Sequence, residues 1–316
     1  HSLYAVFHRD NANLCLISSG GLDEWMSRLP SRLRISSLSI PGTHNSPTHH
    51  VALPSVRCQA IDIPTQLRNG IRFLDIRIQP DDALNLVHGV FPIAISGNKP
   101  LRGVIDAVYT FLEQHSRETV ILSLKREGRD VGVDDKAFSK RIYDEIISKR
   151  LDKWHLSPTI PTLGEARGKV ILFRRFHPHA ADIPLGIDAS HWAYNTPHDI
   201  RGVLSVQDFC EVAETENIDI KLTHIKTHLE RASNIDPAMA EEQSQLLYVN
   251  FLSASNFWKV GCWPERVAAK VNPEVEWWLA RKHKLGRGTG VVVLDFVGEG
   301  GEWGICRLVT GMNGGL

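Results

Sequence analysis

The stretch VVVLDFV, residues 291–297, is apolar at nearly every position, and TVILSL, residues 119–124, has the same character. A strand that is buried on both faces shows such a continuous run, whereas a half-exposed strand alternates apolar and polar residues. The two stretches therefore predict strands of a parallel sheet that is covered on both faces. Six further short runs are of similar type: RISSLSI (34–40), IRFLDIRI (71–78), LNLV (84–87), KVILF (169–173), VLSV (203–206) and LLYVNFL (246–252).

Eight strands of this kind predict a (β/α)8 TIM barrel, an α/β fold that accommodates 316 residues in one domain. Helical spacing of apolar residues is clear in residues 101–115 and 135–150, but the segments that join the first three strands are short. We therefore expect the barrel to be distorted or incomplete. No repeat or low-complexity linker divides the chain, so we expect a single domain over residues 1–316.

The composition argues against several classes of protein. Lysine plus arginine equals aspartate plus glutamate, at 36 each, so no overall field favours nucleic acid. The apolar runs are too short for a transmembrane segment. The five cysteines have no metal-ligand spacing, so we expect free thiols and no bound metal. Because the chain begins at His1, we expect a trimmed or mature form, and secretion and a cytoplasmic location both stay open.

Polar residues that follow the apolar runs are the candidates for chemistry, because barrel enzymes carry their sites at the carboxyl ends of the strands. They include two histidines, several cations and several carboxylates. Along the chain they are His44, Asn45, Asp75, Arg77, His88, Lys125, Arg174 or Arg175, Asp208, Ser253 and Asp295.

This combination suits the cleavage of a phosphodiester. One imidazole can deprotonate a nucleophile while the other protonates the leaving oxygen. Arginine can hold the phosphoryl oxygens through two parallel hydrogen bonds as charge accumulates on them. Asp295 could orient His44 as an aspartate orients the histidine of a serine hydrolase.

Eight motifs follow one another along the chain: LSIPGTHNS, GIRFLDIR, LVHG, ETVILSLKRE, ARGKVILFRRF, LSVQDF, YVNFLSAS and VVVLDFV. Their order resembles the X domain of phosphatidylinositol-specific phospholipase C, of the metal-independent bacterial type. The resemblance extends over residues 38–296 and implies an enzyme that needs no cofactor.

The resemblance also implies roles for individual residues. His44 would be the general base on the inositol 2-hydroxyl, with Asp295 as its partner, and His88 would be the general acid. The products would be diacylglycerol and inositol 1,2-cyclic phosphate, because the nucleophile belongs to the substrate. Arg77 would stabilise the phosphate and Asp75 would support the site from beneath, whereas Lys125, Arg175, Asp208, Cys210 and Ser253 would surround the inositol.

The chain departs from the family pattern at two positions. Asn45 stands where the metal-independent members usually have aspartate, and we expect it to orient His88 or Arg77. Cys210 stands where a tyrosine often stacks on the inositol ring. Calcium in the metal-using branch is held by acidic residues at positions where this chain has Arg77 and Lys125, so we expect no metal site.

Large aromatic residues follow the seventh predicted strand, in the segment NFWKVGCWP (256–264). Aromatic rings suit the headgroup boundary of a membrane. We therefore expect Phe257, Trp258 and Trp263 to make weak peripheral contact with membranes that contain phosphatidylinositol, the partner that the resemblance implies.

Two alternatives remain open on the sequence. One is a barrel enzyme that uses a divalent metal, such as a glycerophosphodiesterase or a sphingomyelinase D-like enzyme; HRDN (8–11) faintly resembles an HRG motif of that class. However, FLDIR places a cation where that metal would bind. The other alternative is a catalytically inactive X domain that binds lipid.

Overall fold

The computed structural model describes residues 2–8, 13–19, 21–180, 183–234, 246–281 and 288–316. A ten-stranded sheet forms its centre, and two hairpins, β1–β2 and β5–β6, lie outside that sheet. The strands are β1 (Ser2–His8), β2 (Asn13–Ser19), β3 (Ile40–Thr43), β4 (Phe73–Ile78), β5 (Val87–His88), β6 (Phe91–Pro92), β7 (Val120–Arg126), β8 (Trp154–His155), β9 (Val170–Arg175), β10 (Ile187–Asp188), β11 (Thr196–Arg201), β12 (Leu204–Asp208), β13 (Leu247–Phe251) and β14 (Val291–Leu294).

Helices connect most of the strands of the sheet. The two helical patterns seen in the sequence correspond to α2 and to a helix that begins as α3 and continues as a π-helical turn (Tyr143–Ile147) and a 3₁₀ segment (Ser148–Lys153). The α-helices are α1 (Ile63–Arg68), α2 (Arg102–Gln114), α3 (Asp135–Ile142), α4 (Leu163–Ala166), α5 (Asn217–Ser233), α6 (Pro264–Arg281) and α7 (Gly304–Gly311). Among the described helices, none combines the length and apolar character that a bilayer crossing requires.

The sheet runs in the order β10-β9-β7-β4-β3-β14-β13-β12-β11, with β8 also beside β9. All its neighbours are parallel except β11, which is antiparallel to β12. Among the described residues no pairing joins β10 to β11, so the curled sheet stays open there. The prediction of an incomplete barrel is therefore confirmed.

Side chains alternate between two apolar layers along each central strand. In β4, Phe73 packs inside the barrel, whereas Leu74 and Ile76 pack against the surrounding helices. Because successive side chains of a strand point to opposite faces, Asp75 and Arg77 share the inner face with Phe73. The inner face is apolar at its lower end and charged at the carboxyl ends of the strands.

The first predicted strand, RISSLSI (34–40), is misplaced. Residues Ile35–Ser37 form a 3₁₀ turn, in which Ser37 donates from its backbone N–H and its hydroxyl to the carbonyl of Arg34. Serine competes in this way for local backbone groups, which disfavours a strand. The barrel strand is β3, immediately afterwards, where Gly42 lets Phe73 approach to within 2.8 Å of the position that a Cβ would take.

The third predicted strand, LNLV (84–87), is also wrong as a barrel strand. Leu84 has a positive φ of 51°, and the side chain of Asp81 accepts hydrogen bonds from the backbone and side chain of Asn85. This turn leads instead into the small hairpin of β5 and β6, so His88 does not follow a barrel strand. The strands β10 and β11, which the sequence did not predict, complete the sheet at its two edges.

Candidate active site

Three cations occupy one row of the sheet at its carboxyl end. The register pairs Arg77 of β4 with Lys125 of β7, and Lys125 with Arg175 of β9. All three line the same cavity, of about 920 Å³. Alternation along the strands thus places the three cations on the inner face of the barrel, at the level where polar groups replace the apolar core.

The same alternation decides between the two arginines of LFRRF. Arg174 points to the outer face, where it donates to the carbonyls of Leu185 and Phe176. Arg175 points inward, and its guanidinium lies 4.2 Å from the centre of the Trp192 ring. Arg175 is therefore the arginine of the site.

Asp75 lies one layer below the cations and is completely buried. It accepts hydrogen bonds from Nε of Arg77 and from Nη1 of Arg175, both at 3.1 Å. Burial alone would raise the pKa of Asp75, but the two guanidinium groups hold it well below its usual range. Asp75 therefore stays ionised and fixes the two arginines from beneath.

His44 lies directly after β3, between a carboxylate and a cation. Its Nδ1 donates to Oδ1 of Asp295 over 2.8 Å, and its Nε2 lies 2.6 Å from Nη2 of Arg77. A guanidinium has no acceptor, so Nε2 of His44 must be the accepting atom. The imidazole therefore has the tautomer of a general base, with its lone pair on Nε2.

His88 reaches the site from the β5–β6 hairpin. Its ring centre is 5.9 Å from that of His44, and its Nδ1 donates to the carbonyl of Val56 over 2.7 Å. Burial, together with the nearby charges of Arg77 and His44, lowers the pKa of His88 to about 4. An anion that binds beside Arg77 would offset its charge, so His88 would then be protonated more readily.

Glu127 is a site residue that the sequence interpretation missed. It contacts Nη1 of Arg77 at 3.2 Å and Nζ of Lys125 at 2.5 Å, and it accepts from the backbone N–H of Gly89 at 2.7 Å. Burial opposes its ionisation, but the two cations hold its pKa well below the usual range. The available signal was its position in LSLKRE, two residues after Lys125, because one more extended residue beyond the end of β7 points to the same side as Lys125.

The far side of the cavity combines a carboxylate with aromatic residues. Asp208, at the end of β12, accepts a hydrogen bond at 3.0 Å from Nε1 of Trp192, another residue that the sequence interpretation did not select. Cys210 lies in the same wall, and burial raises the pKa of its thiol to about 11, so it is a neutral group. Ser253 lines the cavity after β13.

Asn45 is placed differently from the expectation. Its side chain is buried and makes no hydrogen bond to any described residue, so it orients neither His88 nor Arg77. Asn45 supports the site through its backbone instead, because its N–H donates to Oδ2 of Asp75 over 3.1 Å. Its φ of 44° is a left-handed conformation that asparagine tolerates better than most residues.

The aromatic segment after β13 is only partly at the rim. Phe257 and Trp258 line the mouth of the cavity, and Trp258 is 89% exposed. Trp263 is not part of the cavity wall. It is half-buried and donates from Nε1 to the carbonyl of Phe257, which steadies the loop.

The cavity thus brings together most of the residues selected from the sequence. Asn45 and Asp75 lie beneath it, and Trp263 lies to one side. Such a site can take up a phosphate between cations and move protons through two imidazoles on either side of it. Of the residues selected from the sequence, the following line the cavity: His44, Arg77, His88, Lys125, Arg175, Asp208, Cys210, Ser253, Phe257, Trp258 and Asp295.

Comparison with known proteins gives a consistent result. Residues 34–176 match the family described as phosphatidylinositol-specific phospholipase C, X domain. The 1-phosphatidylinositol phosphodiesterase of Listeria monocytogenes is 28% identical over 307 residues, which cover 92% of this chain and 86% of that protein. The Staphylococcus aureus enzyme of the same name is 25% identical over 291 residues, with 87% and 88% covered.

Solved structures agree with the fold. The phosphatidylinositol-specific phospholipase C of L. monocytogenes superposes with a TM-score of 0.71 at 24% identity, covering 93% of this chain and 99% of that one. A structure of the S. aureus phosphatidylinositol-specific phospholipase C gives a TM-score of 0.74 at 23% identity, with 92% and 97% covered. The open barrel described above is therefore shared with these proteins.

Proposed function

We propose that this chain, which belongs to the phosphatidylinositol-specific phospholipase C X-domain family, cleaves phosphatidylinositol to diacylglycerol and inositol 1,2-cyclic phosphate. One observation carries the proposal. Two imidazoles, His44 and His88, lie 5.9 Å apart beside a row of three aligned cations in one cavity. Phosphodiester cleavage by an internal hydroxyl needs this combination of a base, an acid and phosphate-binding cations.

His44 is the general base in this proposal. Its Nε2 lone pair removes the proton of the inositol 2-hydroxyl, and Asp295 stabilises the imidazolium that results. In the free protein that lone pair accepts a hydrogen bond from Arg77. A bound phosphate attracts the guanidinium, so binding of the substrate releases the base.

His88 is the general acid and protonates the oxygen of the departing diacylglycerol. Arg77 faces both imidazoles and the phosphate, so it controls the protonation of His88 as well as holding the phosphoryl oxygens. The low pKa of His88 in the free protein rises when a phosphate offsets the charge of Arg77. The substrate thus brings the acid to its active form.

The inositol hydroxyls bind to the remaining polar groups of the cavity. Lys125 and Arg175 donate to them, while Asp208 accepts. Glu127 holds Arg77 and Lys125 in place, and Trp192 does the same for Arg175 and Asp208. Trp192 thereby supplies an aromatic surface on the side of the cavity where Cys210 replaces the family's usual tyrosine.

We further propose that catalysis needs no metal ion. Arg77 and Lys125 lie where the metal-using branch has acidic ligands, and both are already paired with Glu127. A calcium ion in this volume would face two positive charges, and a unit charge at 4 Å repels another by about 4 kcal/mol at an effective dielectric constant of 20. The guanidinium of Arg77 neutralises the phosphoryl oxygens in place of a metal ion.

Weak contact with the membrane surface accompanies catalysis in this proposal. Trp258 projects from the rim, and the ring of Phe257 stacks on that of Phe91 at 5.3 Å, which joins the loop to the β5–β6 hairpin. The hairpin adds Val90, which is 48% exposed. The rim can therefore insert a few apolar side chains while the cavity faces the headgroups.

The alternatives find less support. The family match and both named relatives favour the phospholipase over a metal-dependent glycerophosphodiesterase or a sphingomyelinase D-like enzyme. Residues 9–11 of the HRDN segment lie outside the described residues. A single domain over residues 1–316 remains part of the proposal.

The test is an assay of the purified protein on phosphatidylinositol vesicles, with and without a chelator. Phosphorus NMR should show inositol 1,2-cyclic phosphate as the first product. Absence of turnover with a folded protein would favour the inactive lipid-binding domain. Formation of only an acyclic phosphate would exclude the internal attack.

A further inference from the structure

Cys58 is a fully buried thiol beside both imidazoles of the site, and the reaction gives it no role. Its Sγ lies 3.6 Å from Nδ1 of His88. Among the described residues, one group of metal-ligand side chains stands out: the donor atoms of His44, Cys58 and Asp295 all lie within 4.8 Å of one another. We propose that these three residues bind Zn²⁺, or a similar thiophilic divalent ion, and that the bound ion inhibits the enzyme.

The donor set suits zinc rather than a hard cation. Zinc takes nitrogen, sulfur and carboxylate oxygen in tetrahedral geometry, and three protein ligands leave a fourth position open. Tetrahedral ligands lie about 3.5 Å apart, given metal–ligand distances near 2.0–2.3 Å. Separations of up to 4.8 Å therefore need to close by about 1 Å, whereas Nδ1 of His44 and Oδ1 of Asp295, now 2.8 Å apart, need to move apart by about 0.5 Å.

The backbone holds the thiol and the carboxylate together. The N–H of Phe296, the residue after Asp295, donates to the carbonyl of Cys58 over 2.8 Å. The N–H of Cys58 in turn donates to the hydroxyl of Thr48 over 3.0 Å. The two ligands thus come from chain segments that are fixed to each other, which limits the entropic cost of assembling the site.

The charges also favour a dication. Cys58 and Asp295 lie side by side and are almost completely buried, so a dication bound between them would neutralise two adjacent anions. On binding, the thiol proton of Cys58 leaves to solvent and the ring proton of His44 moves from Nδ1 to Nε2, so a neutral imidazole coordinates the ion through Nδ1 and Arg77 withdraws from Nε2. The thiolate and the carboxylate then neutralise the ion. Arg77 opposes binding, but its own charge is already engaged by Asp75 and Glu127.

Inhibition follows from the place that the ion takes. It replaces the proton that His44 donates to Asp295. A neutral imidazole that is bound to the ion through Nδ1 carries its proton on Nε2, so it has no lone pair left to accept the proton of the substrate hydroxyl. The inhibition rests on the proposed function, whereas binding of the ion does not.

Cobalt(II) titration tests the binding without reference to activity, because a cysteine thiolate gives Co²⁺ a near-ultraviolet charge-transfer band. We expect this band in the wild type and in Cys210→Ser, and its loss in Cys58→Ser. Cys210 is a suitable control because its thiol lies in the same cavity. In turnover assays, Zn²⁺ should inhibit the wild type, and Cys58→Ser should need at least about tenfold more Zn²⁺ for the same fractional inhibition.

Each outcome decides a separate point. A cobalt band in a protein without turnover would support the ion site and reject the proposed function. Turnover without a band, or equal zinc inhibition of Cys58→Ser, would overturn the site. Should Cys58→Ser and Cys58→Ala both fail to fold, zinc X-ray absorption of the Cys210→Ser protein decides, because the site requires one sulfur at about 2.3 Å.

Discussion

Arg77 donates a hydrogen bond from Nη2 to Nε2 of His44 over 2.6 Å. This contact ties the proposed phosphate ligand to the proposed base before any substrate is present. A phosphate that draws the guanidinium away frees the lone pair of the base, and it also reduces the positive charge that faces His88. Binding and activation are thereby coupled through one side chain.

Removal of either imidazole should nearly abolish turnover. We expect His44→Ala and His88→Ala each to lower kcat by about 10²–10⁴-fold, since general acid–base groups contribute that much, with little change in melting temperature. His177→Ala is the control, because His177 is exposed outside the cavity. A substrate whose leaving group needs no protonation should rescue His88→Ala alone. Equal rescue of both variants would contradict the assigned roles.

The charge of Arg77 should set the protonation of His88. Burial, then Arg77 and His44, lower the pKa of His88 from 6.5 to about 4. In Arg77→Met we expect this pKa to rise toward 6.5, because Arg77 is the charged group that lowers it most. Any step that requires protonated His88 then persists to higher pH. Proton NMR titration of the ring measures the shift.

Arg174→Met provides the control for that titration, since Arg174 lies on the outer face of β9. Inorganic phosphate added to the wild type should raise the pKa of His88 in the same direction. A value that stays near 4 in Arg77→Met would mean that burial alone accounts for the shift.

Arg175 and Arg174 form a matched pair for the head-group site. Arg175→Met should lower kcat/KM by about 10–100-fold, the effect of losing a hydrogen bond from a charged donor. Arg174→Met should lower the melting temperature but leave kcat/KM of the folded protein unchanged, because its partners are the carbonyls of Leu185 and Phe176. The reverse pattern would show that the inner-face assignment is mistaken.

Chelation should leave the activity of the wild type unchanged, or raise it if zinc is carried over from purification. Arg77→Asp should be nearly inactive in chelator and partly recover with added calcium, since a carboxylate would then face the position of the phosphate. Calcium should not help Arg77→Met, which is the matched control. Loss of wild-type activity in chelator, with recovery in calcium, would refute catalysis without metal.

Trp258 should contribute to vesicle binding. We expect Trp258→Ala to weaken binding to phosphatidylinositol vesicles while hydrolysis of a short-chain, water-soluble substrate is unchanged, because the indole is 89% exposed at the rim. Leu151→Ala, which removes an exposed side chain outside the cavity wall, should bind as the wild type does. Co-sedimentation with vesicles measures both variants. Equal affinities would remove Trp258 from the membrane-contacting surface.

The sequence by itself determined the type of fold and most of the site. Buried strands are apolar wherever they lie, so VVVLDFV and TVILSL identify a parallel sheet without any tertiary information. Barrel sites gather at strand ends, so the polar residues that follow these runs could be selected in advance. The alternation of side chains also predicts that Glu127 and Arg175 point into the barrel, because residues two apart in an extended chain share a face.

Only the tertiary structure decided the contacts that join distant segments. Leu84 adopts a left-handed conformation and LNLV leaves the sheet, so His88 reaches His44 from a hairpin rather than from a barrel strand. Cys58 approaches Asp295 through a backbone hydrogen bond between segments 238 positions apart in the chain, from residue 58 to residue 296. Local propensity carries no information on such pairings, because their free energy depends on the packing of the whole barrel.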